Sequence, residues 1–404
     1  MNVFTDWELR KSFERELEDI LTYWATYTVD PEAEGFYGAV DDHNLPVAGA
    51  TKGAVLNARI LWSFSAAYSL TGKDKYLRLA GRAYRYINKY FIDPVFGGVF
   101  WSLNDNGSPA DVKKQVYAQA FVIYGFAAYY KASGNSEALS LAKKLYCLIE
   151  AWSYDVIHDG YFEAFSREWK PIDDLRLSAK DANEKKTANT HLHILEAYSL
   201  LYTQWPDKQL GEQLRKLISN FKDHLIDKSN YHLRLFLDEN WNSKSETISY
   251  GHDIEAAWLL YRAAESLQDE QLIAEVGELA IRISHQISKC QNADGSLNYE
   301  FEPTENHMVT DRHWWVQAEA VVGFYNAWQI TGETRFKENA LAAWNFTTNH
   351  LIDRKKGEWY WGVEADGKII PGYGKAGFWK CPYHNSRVCM EMIGRVGYTQ
   401  LSPA

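Results

Sequence analysis

Histidines near the start of apolar helical segments are the residues in this sequence with the clearest potential for chemistry. His191 and His193 lie in THLHILEAYSLLY, His252 begins HDIEAAWLLYRAA, and His384 lies in YHNSRVCMEMIGRVG. A single histidine on an apolar segment is more often a buried core residue than a catalyst. Recurrence at equivalent positions of separate segments favours proton transfer, because imidazole gains and loses a proton near neutral pH.

The spacing around these histidines suggests partners for them. His252 and Glu255 are three residues apart and share a helix face, so the carboxylate could orient the imidazole or bind a sugar hydroxyl. Trp258 follows one turn later on the same side, and His384 and Arg387 repeat the three-residue relation. These pairs predict a site in which imidazoles lie beside charged and aromatic groups.

Metal and nucleotide chemistry are not favoured by the local motifs. His191 and His193 are two residues apart, about 200° around a helix, so only one of them can point into a central site. A metal bridging His193, His252 and His384 is geometrically conceivable, but no HExxH motif supports it. The sequence also lacks a P-loop and a GxGxxG turn that opens a helix after a strand. We therefore predict no metal and no cofactor.

The elements that position these residues come from an internal repeat of about 60 to 70 residues. Each copy has an amphipathic helix, a glycine and aromatic segment, and a second helix that is apolar almost all round. The apolar helices are predicted to begin near Lys52, Gln115, Thr190, His252, Arg312 and Tyr383, and the amphipathic ones to span about 5–27, 73–91, 136–151, 207–226, 269–289 and 333–351. The intervening segments predict short β-hairpins. They read EGFYGAVDDHNLPV, FGGVFWSLNDNGSP, DGYFEAFSREWKP, YHLRLFLDENWNS, DGSLNYEFEPTENH and GEWYWGVEADGKII.

Six such pairs predict an all-α protein, an (α/α)6 barrel of six inner and six outer helices in a single domain over 1–404. Closure into a barrel is inferred because an open stack would leave apolar end faces that need caps. In such a barrel the first turns of the inner helices converge on one funnel-shaped mouth. The unusual polar and aromatic residues collect there: Arg59, Tyr117, Asn189, His191, His193, His252, Glu255, Trp315, Glu319, Trp379, His384 and Arg387.

Composition narrows the function further. The net charge of −10 and the absence of a basic stripe argue against nucleic acid or an anionic membrane as a partner. Sixteen Trp and 26 Tyr suit the apolar faces of sugar rings, although core packing explains many of them. Four scattered cysteines, the lack of a signal peptide and the lack of an apolar run of about 18 residues predict a soluble cytoplasmic protein. We expect a monomer or a weak homo-oligomer.

Four segments carry a family resemblance: ANTHLHILEAY, GHDIEAAWLL, HWWVQAEAV and CPYHNSRVCMEM. Together they resemble the N-acylglucosamine 2-epimerase superfamily, and within it the cellobiose 2-epimerases, from about residue 30 to 397. The resemblance implies a cofactor-independent epimerase with His252 and His384 as the acid/base pair and His193 as the ring-opening histidine. It also implies that Arg59 stabilises an enediolate. The other residues that it places on or near the sugar are Tyr117, Asn189, Glu255, Trp258, Trp315, Glu319, Trp379 and Arg387.

The resemblance implies inversion at C2 of the reducing-end glucose of β-1,4-linked disaccharides through a cis-enediolate. Trp101, Trp359 and Tyr360 in the rim segments predict a place for the second sugar. The alternatives are an N-acylglucosamine 2-epimerase or a mannose isomerase of the same superfamily, an (α/α)6 glycoside hydrolase that uses two carboxylates, and a sugar-binding scaffold. The segment SAKDANEKKTANTH carries more charge than expected before an inner helix, so the sequence makes no prediction of the rim structure at this point.

Overall fold

The structure is a computed structural model that describes residues 5–397, and over this range the chain forms twelve α-helices in two concentric rings. The predicted (α/α)6 barrel is therefore confirmed. The outer ring contains α1 (Asp6–Tyr27), α3 (Asp74–Tyr86), α5 (Ser136–Trp152), α7 (Lys208–Asn220), α9 (Glu270–Cys290) and α11 (Thr334–Phe346). The inner ring contains α2 (Ala54–Thr71), α4 (Val116–Ser133), α6 (Ala188–Gln204), α8 (Tyr250–Leu267), α10 (Trp314–Thr331) and α12 (Tyr383–Arg395). The ends of the predicted 1–404 domain, 1–4 and 398–404, lie outside the described residues.

The inner ring is closed, because each inner helix packs against two others and α2 contacts both α4 and α12. These helices are apolar nearly all round because outer helices cover one side and inner neighbours the others. Small residues allow the close approach. A Cβ at Gly125 would lie 3.0 Å from the carbonyl oxygen of Ala58, and one at Gly323 would lie 2.5 Å from the side chain of Ile254.

The outer helices begin close to their predicted starts, and four of the six have capping side chains there. Thr5 and Glu8 form a capping box on α1, and the side chains of Asn135, Asp207 and Asp269 accept backbone N–H bonds at the starts of α5, α7 and α9. Three outer helices continue into a π-helical turn, at Ile87–Phe91, Phe221–Leu225 and Thr347–Leu351. Over residues 5–397 no helix combines the length and the apolar character needed to cross a membrane.

Short strands link neighbouring repeats into a ring at the mouth of the barrel. They are β1 (Lys52–Gly53), β2 (Ser102–Leu103), β3 (Pro109–Asp111), β4 (Lys114–Gln115), β5 (Ala164–Phe165), β6 (Lys186–Thr187), β7 (Phe236–Leu237), β8 (Ile248–Ser249), β9 (Glu300–Glu302), β10 (His307–Val309), β11 (Arg312–His313) and β12 (Gly362–Val363). The strand before each of five inner helices pairs antiparallel with the next repeat, as β1–β2, β4–β5, β6–β7, β8–β9 and β11–β12. A bridge between Val40 and Ala376 joins the last repeat to the first.

The predicted hairpins are therefore only part of this arrangement. Within the described residues, two-stranded hairpins form in the second and fifth segments, as β2–β3 and β9–β10. The first, fourth and sixth segments close through single bridges, and the third turns back through a hydrogen bond from the Ser166 N–H to the Lys170 carbonyl. Most of the pairing runs between repeats because each strand is only two or three residues long.

Buried ion pairs hold the strands at the mouth. In four repeats a lysine at or just before the inner helix bonds an aspartate that follows the preceding outer helix. The pairs are Lys52 with Asp30 at 3.0 Å and, each at 2.9 Å, Lys114 with Asp93, Lys186 with Asp155 and Lys375 with Asp353. Because a buried charge without a partner is costly, these pairs tie the loops firmly to the helix starts.

We expect Lys375→Met to lower the free energy of unfolding by about 3 kcal/mol, because it leaves the buried carboxylate of Asp353 without its cation. The matched control is Lys208→Met, which removes an exposed lysine 3.7 Å from Glu212 and should change stability by less than about 0.5 kcal/mol. Urea denaturation followed by circular dichroism measures both. Equal small effects for the two variants would contradict a structural role for the buried pairs.

Candidate active site

The candidate residues form two layers at the mouth of the barrel. Nearest the mouth are the second or third residues of five inner helices, namely Tyr117, Asn189, His252, Trp315 and His384. About one helical turn deeper are the fifth or sixth residues, namely Arg59, His193, Glu255, Glu319 and Arg387. Helices that start at the same level in a ring bring equivalent positions together, so the repeat creates the site.

A cavity of about 470 Å³ occupies this mouth. Nine of the twelve predicted site residues line it: Arg59, Tyr117, Asn189, His193, His252, Glu255, Trp315, Trp379 and His384. Trp258, Glu319 and Arg387 lie behind them, and Trp258 and Arg387 face a second cavity of about 910 Å³ at the opposite end of the barrel. His191 points away from the mouth and bonds the backbone of Tyr161 and Thr187, so His193 alone enters the cavity from its helix.

Four histidines line the cavity: the three predicted ones, His193, His252 and His384, and His313 just before α10. Each of the three predicted histidines has its Nδ1 held by the protein, which leaves Nε2 for a ligand. The three bonds are His193 Nδ1 to Glu196 Oε2 at 3.0 Å, His252 Nδ1 to Ser249 Oγ at 2.8 Å, and His384 Nδ1 to Glu319 Oε1 at 2.7 Å. The expectation that Glu255 orients His252 is wrong, because a serine at the end of β8 does so. A fixed ring with a free Nε2 is suited to general acid/base work.

The environment keeps these imidazoles neutral. Burial lowers the pKa of His193 to about 4, against an opposing effect of Glu196. Burial, together with the nearby His193 and Lys180, lowers the pKa of His252 to about 3. Burial and the positive charges of Arg59 and Arg387 hold the pKa of His384 well below its ordinary value. At neutral pH all three are therefore available as bases.

Behind the histidines, Arg387 lies among three buried carboxylates. Its guanidinium donates to Glu196, to Glu255 and, at 2.7 Å, to Glu319. Glu319 also accepts from the Nε1 of Trp258 at 3.0 Å and pairs with His384 Nδ1. Burial raises the pKa of Glu319 above its ordinary value, against the opposing effects of Arg387 and Trp258.

The other two carboxyl groups differ in the direction of their pKa shifts. Burial and the charge of Glu319 raise the pKa of Glu255 above its ordinary range. Burial also acts to raise the pKa of Glu196, but Arg387 and His193 lower it to about 2. Glu255 lines the cavity, so a carboxyl group with a raised pKa faces a bound ligand.

Arg59 differs from Arg387 because no carboxylate among the described residues pairs with it. Its guanidinium donates to the hydroxyl of Tyr117 at 2.9 Å and contacts the sulfur of Cys381 at 3.8 Å, and it lies 4.2 Å and 4.7 Å from the ring centroids of Phe121 and Tyr383. Only 4% of the residue is exposed. A buried guanidinium without an anionic partner is a ready site for negative charge that develops on a ligand.

A metal ion does not suit the one cluster of potential ligands that the described residues form at the mouth. Ligand atoms of Glu255, Glu319 and His384 lie within 4.8 Å of one another. The guanidinium of Arg387 already donates to both carboxylates of this cluster, so its positive charge stands where a cation would be needed.

Aromatic rings form the walls. Trp315 lies between two histidines, with ring centroids 4.8 Å from His252 and 5.7 Å from His384. Farther out, Tyr299, Trp361 and Tyr373 line the same cavity. The three rim aromatics expected from the sequence do not line it: Trp101 packs on Trp379, Trp359 is fully buried against Glu16, and Tyr360 lies under Lys375.

Several functional residues were missed from the sequence. Ser249 and Glu196 each lie three residues from the histidine they orient, so the same spacing rule that singled out Glu255 could have found them. Glu163 lines the cavity and bonds Thr187 and Thr190 at the start of α6, but it belongs to another repeat and no spacing signals it.

Comparisons with known proteins show the family of the chain. Residues 35–386 match the profile of the N-acylglucosamine 2-epimerase (GlcNAc 2-epimerase) family. The chain belongs to the N-acylglucosamine 2-epimerase family. It is 48% identical to cellobiose 2-epimerase from Bacteroides fragilis over 96% of this chain and 99% of that protein. The structure of cellobiose 2-epimerase from Bacillus thermoamylovorans B4167 superposes with a TM-score of 0.92 at 41% identity, over 96% of this chain and 99% of that one.

A more distant relative marks the breadth of the family. The D-mannose isomerase of Marinomonas mediterranea is 23% identical over 94% of this chain and 96% of that protein. Members of the N-acylglucosamine 2-epimerase family are carbohydrate epimerases and isomerases, so this chain is an isomerase that acts on a sugar.

The lowered histidine pKa values predict an unusual acid limit for activity. A base must be neutral to accept a proton, and a lowered pKa means that protonation blocks it only at lower pH. We expect kcat/KM of the wild type to reach half its maximum below the ordinary histidine pKa of about 6.5. His43→Asn, which changes an exposed histidine, should leave this profile unaltered. A half-maximum above pH 6.5 would show that no buried imidazole acts as the base.

Proposed function

We propose that this enzyme is a cellobiose 2-epimerase, which inverts C2 of the reducing-end glucose of β-1,4-linked disaccharides. Cellobiose would become glucosyl-mannose, and lactose would become epilactose. Support comes from the relatives: the proteins named cellobiose 2-epimerase match at 36–48% identity, and the D-mannose isomerase of Marinomonas mediterranea matches at 23%.

The observation that carries the proposal is the pair of imidazoles on either side of one tryptophan. His252 comes from α8 and His384 from α12, the two inner helices that flank α10, and α10 supplies Trp315. A sugar ring that packs on Trp315 meets one imidazole from each side. Inversion at carbon needs a base on one face and an acid on the other, which one residue cannot easily supply.

The proposed steps follow from the contacts. His193 moves the proton that opens the pyranose to the aldehyde. One of His252 and His384 then removes the C2 proton, which produces a planar cis-enediolate and an imidazolium. The other histidine takes up a proton from solvent and donates it to the opposite face of C2, and the first imidazolium releases its proton to solvent. Arg59, with the hydroxyl of Tyr117, stabilises the enediolate oxygens. Electrons and atoms balance without an oxidant, so the scheme uses no cofactor.

The buried cluster supports the cationic imidazole that each transfer creates. In this cluster the single cation of Arg387 faces three carboxyl groups, and Glu196 carries a negative charge because Arg387 and His193 lower its pKa to about 2. An imidazolium at His384, 2.7 Å from Glu319, is stabilised by this charge. Before the reaction the imidazole stays neutral, because the cost of burying a charged imidazolium outweighs its attraction to these carboxylates.

A second class of reaction shares the intermediate. Protonation of the enediolate at C1 in place of C2 converts an aldose into a ketose, as in mannose isomerase chemistry. The cavity has three outer aromatics, Tyr299, Trp361 and Tyr373, beyond the histidines, which favours a substrate of two sugar rings over a monosaccharide or an N-acyl sugar. A glycoside hydrolase is less favoured, because it needs two carboxylates beside the sugar and Glu319 lies behind His384, whose Nδ1 it bonds.

Isotope exchange tests the two-base scheme. In D2O, wild-type turnover of cellobiose should place deuterium at C2 of the epimer, because the returned proton comes from a group that exchanges with solvent. His252→Asn and His384→Asn should each abolish epimerisation, since abstraction or return fails on one face. Each single variant can still exchange the one epimer that presents its C2 hydrogen to the remaining base. NMR and mass spectrometry measure the label and its position.

The exposed histidine variant His158→Asn serves as the control and should epimerise normally. Full retention of the C2 hydrogen by the wild type, or near-normal epimerisation by His384→Asn, would end the two-base proposal. Label at C1 of a ketose as the main product would identify an isomerase, and release of glucose without label on carbon would identify a hydrolase.

Substrate preference is a separate prediction. We expect kcat/KM for cellobiose or lactose to exceed that for glucose by about tenfold or more, since burying a second ring on aromatic walls contributes on the order of 1–2 kcal/mol. Separate incubations with cellobiose, lactose, glucose and N-acetylglucosamine, followed by chromatography of the C2 epimers, provide the ranking. Equal turnover of glucose, or a preference for N-acetylglucosamine, would place the enzyme in another branch of its family.

A further inference from the structure

The charged segment before the third inner helix forms a strap over the cavity. We use the name strap for residues 173–184, which lie between β5 and β6. Its two ends are tied together, since the Asn183 side chain donates to the Asp173 carbonyl at 2.7 Å and accepts from the Leu175 N–H at 2.9 Å. Gln115 donates to the Arg176 carbonyl at 2.8 Å and fixes the strap to the β4 side of the mouth. The middle of the strap lines the cavity.

Lys180 joins this strap to the opposite wall. Its ammonium donates to the hydroxyl of Tyr299, which directly precedes β9, and lies 4.7 Å from the centre of that ring. Among the described residues this is the one side-chain hydrogen bond between the strap and the segment that contains β9 and β10. Lys180 is an exposed residue that also lines the cavity.

Tyr299 in turn contacts the rings around the catalytic histidines. It stacks on His313 at 4.0 Å and meets Trp315 edge-on at 6.3 Å. Trp315 is the ring that lies between His252 and His384. A contact made by Lys180 at the rim is therefore two side chains away from both proposed bases.

The positive charge of Lys180 also affects the pKa of His252 in the site. No carboxylate among the described residues lies within ion-pair distance of its ammonium, although Asp181 and Glu300 are nearby. The groups that act on the pKa of His252 are Lys180 on the strap, His193 on α6 and Glu319 on α10. Lys180 and His193 lower that pKa and Glu319 raises it.

We propose that Lys180 is a positioning residue that closes the strap over a bound disaccharide by bonding Tyr299 and thereby holds Trp315 against the reducing-end ring. The proposal rests on the proposed function for its substrate. Closure strengthens binding of the substrate and of the transition state equally, so it acts on KM more than on kcat. A hydrogen bond from a charged donor is strong enough for about a tenfold effect.

The test uses the full-length enzyme with three substitutions. Lys180→Met keeps the length of the side chain and removes its charge and donors, and Tyr299→Phe removes only the acceptor. Lys185→Met, at an exposed lysine just past the strap, is the matched control. We expect KM for cellobiose to rise about tenfold in the first two variants, with kcat within about threefold of the wild type. The control should match the wild type, and Lys180→Arg should recover most of the loss.

Two further readouts separate positioning from a general structural defect. The double variant Lys180→Met/Tyr299→Phe should have the KM of one single variant, because both remove the same bond. Removing the ammonium also removes a charge that lowers the pKa of His252. The acid limit of kcat/KM should therefore move to higher pH in Lys180→Met and stay in place in Lys180→Arg.

Amide hydrogen exchange tests the strap without reference to any substrate. Exchange over 173–184 should be at least about fivefold faster in Lys180→Met and Tyr299→Phe than in the wild type or Lys185→Met, because closure protects the strap amides. Unchanged exchange together with unchanged KM would overturn the proposal, as would multiplicative KM effects in the double variant. A wild type that exchanges as expected but does not act on cellobiose would defeat the proposed function and leave the strap contact standing.

Discussion

Arg387 carries a buried positive charge that three inner helices surround with carboxylates. Glu196 comes from α6, Glu255 from α8 and Glu319 from α10, so one side chain of α12 joins four of the six inner helices at the centre of the ring. Three buried carboxylates without this cation would each face a desolvation cost that the fold could not carry. The ion cluster therefore constrains how the inner helices meet, and the histidines are placed relative to it.

The two buried arginines of the site show how one residue type serves two purposes. Arg387 is surrounded by anions and holds other side chains in place, whereas Arg59 packs on the rings of Phe121 and Tyr383 and bonds a neutral hydroxyl from Tyr117. The positive charge of Arg387 is already paired with carboxylates of the protein. The charge of Arg59 is left for a ligand, and rigid aromatic neighbours hold it there without the reorganisation that water would need.

Much of the fold could be read from the sequence, because the signals are local. The outer helices followed from amphipathic segments and the inner helices from segments that are apolar almost all round. Closure of the ring was inferred because an open stack would leave apolar end faces that need caps. The bridge between Val40 and Ala376 joins the last repeat to the first through backbone contacts, which no residue type in the sequence indicates. The strands between repeats were missed because two-residue strands leave no alternating pattern.

The sequence predicted which residues form the site better than it predicted which of them bond each other. Equivalent positions in the first two turns identified nine residues that line one cavity, since a ring of helices maps equal depth in the sequence to equal depth in space. Spacing within one helix could not show that His384 takes its carboxylate from another helix, or that His252 takes a serine in place of Glu255. The prediction for the rim tryptophans was wrong: Trp359 is buried against Glu16, whereas Trp361, two residues later, lines the cavity. Residues two apart share a face in a regular strand, so the chain departs from strand geometry here and no alternation in the sequence could separate the two.

The repeat also explains why proton-transfer chemistry can be built into a helical barrel. Side chains on rigid helices keep their distances, and each imidazole has its Nδ1 fixed before a substrate arrives, so little ordering remains to be done on binding. The loops that cover the mouth need to be able to move, because a sugar must enter. Buried lysine and aspartate pairs hold the base of the loops at the helix starts in four repeats. The strap, in the part of the chain that the structure describes, makes one side-chain hydrogen bond to the far wall, from Lys180. The same six-fold repeat therefore produces both a rigid catalytic layer and a freer rim. The difference depends on which residues of each repeat form buried ion pairs and which remain at the surface.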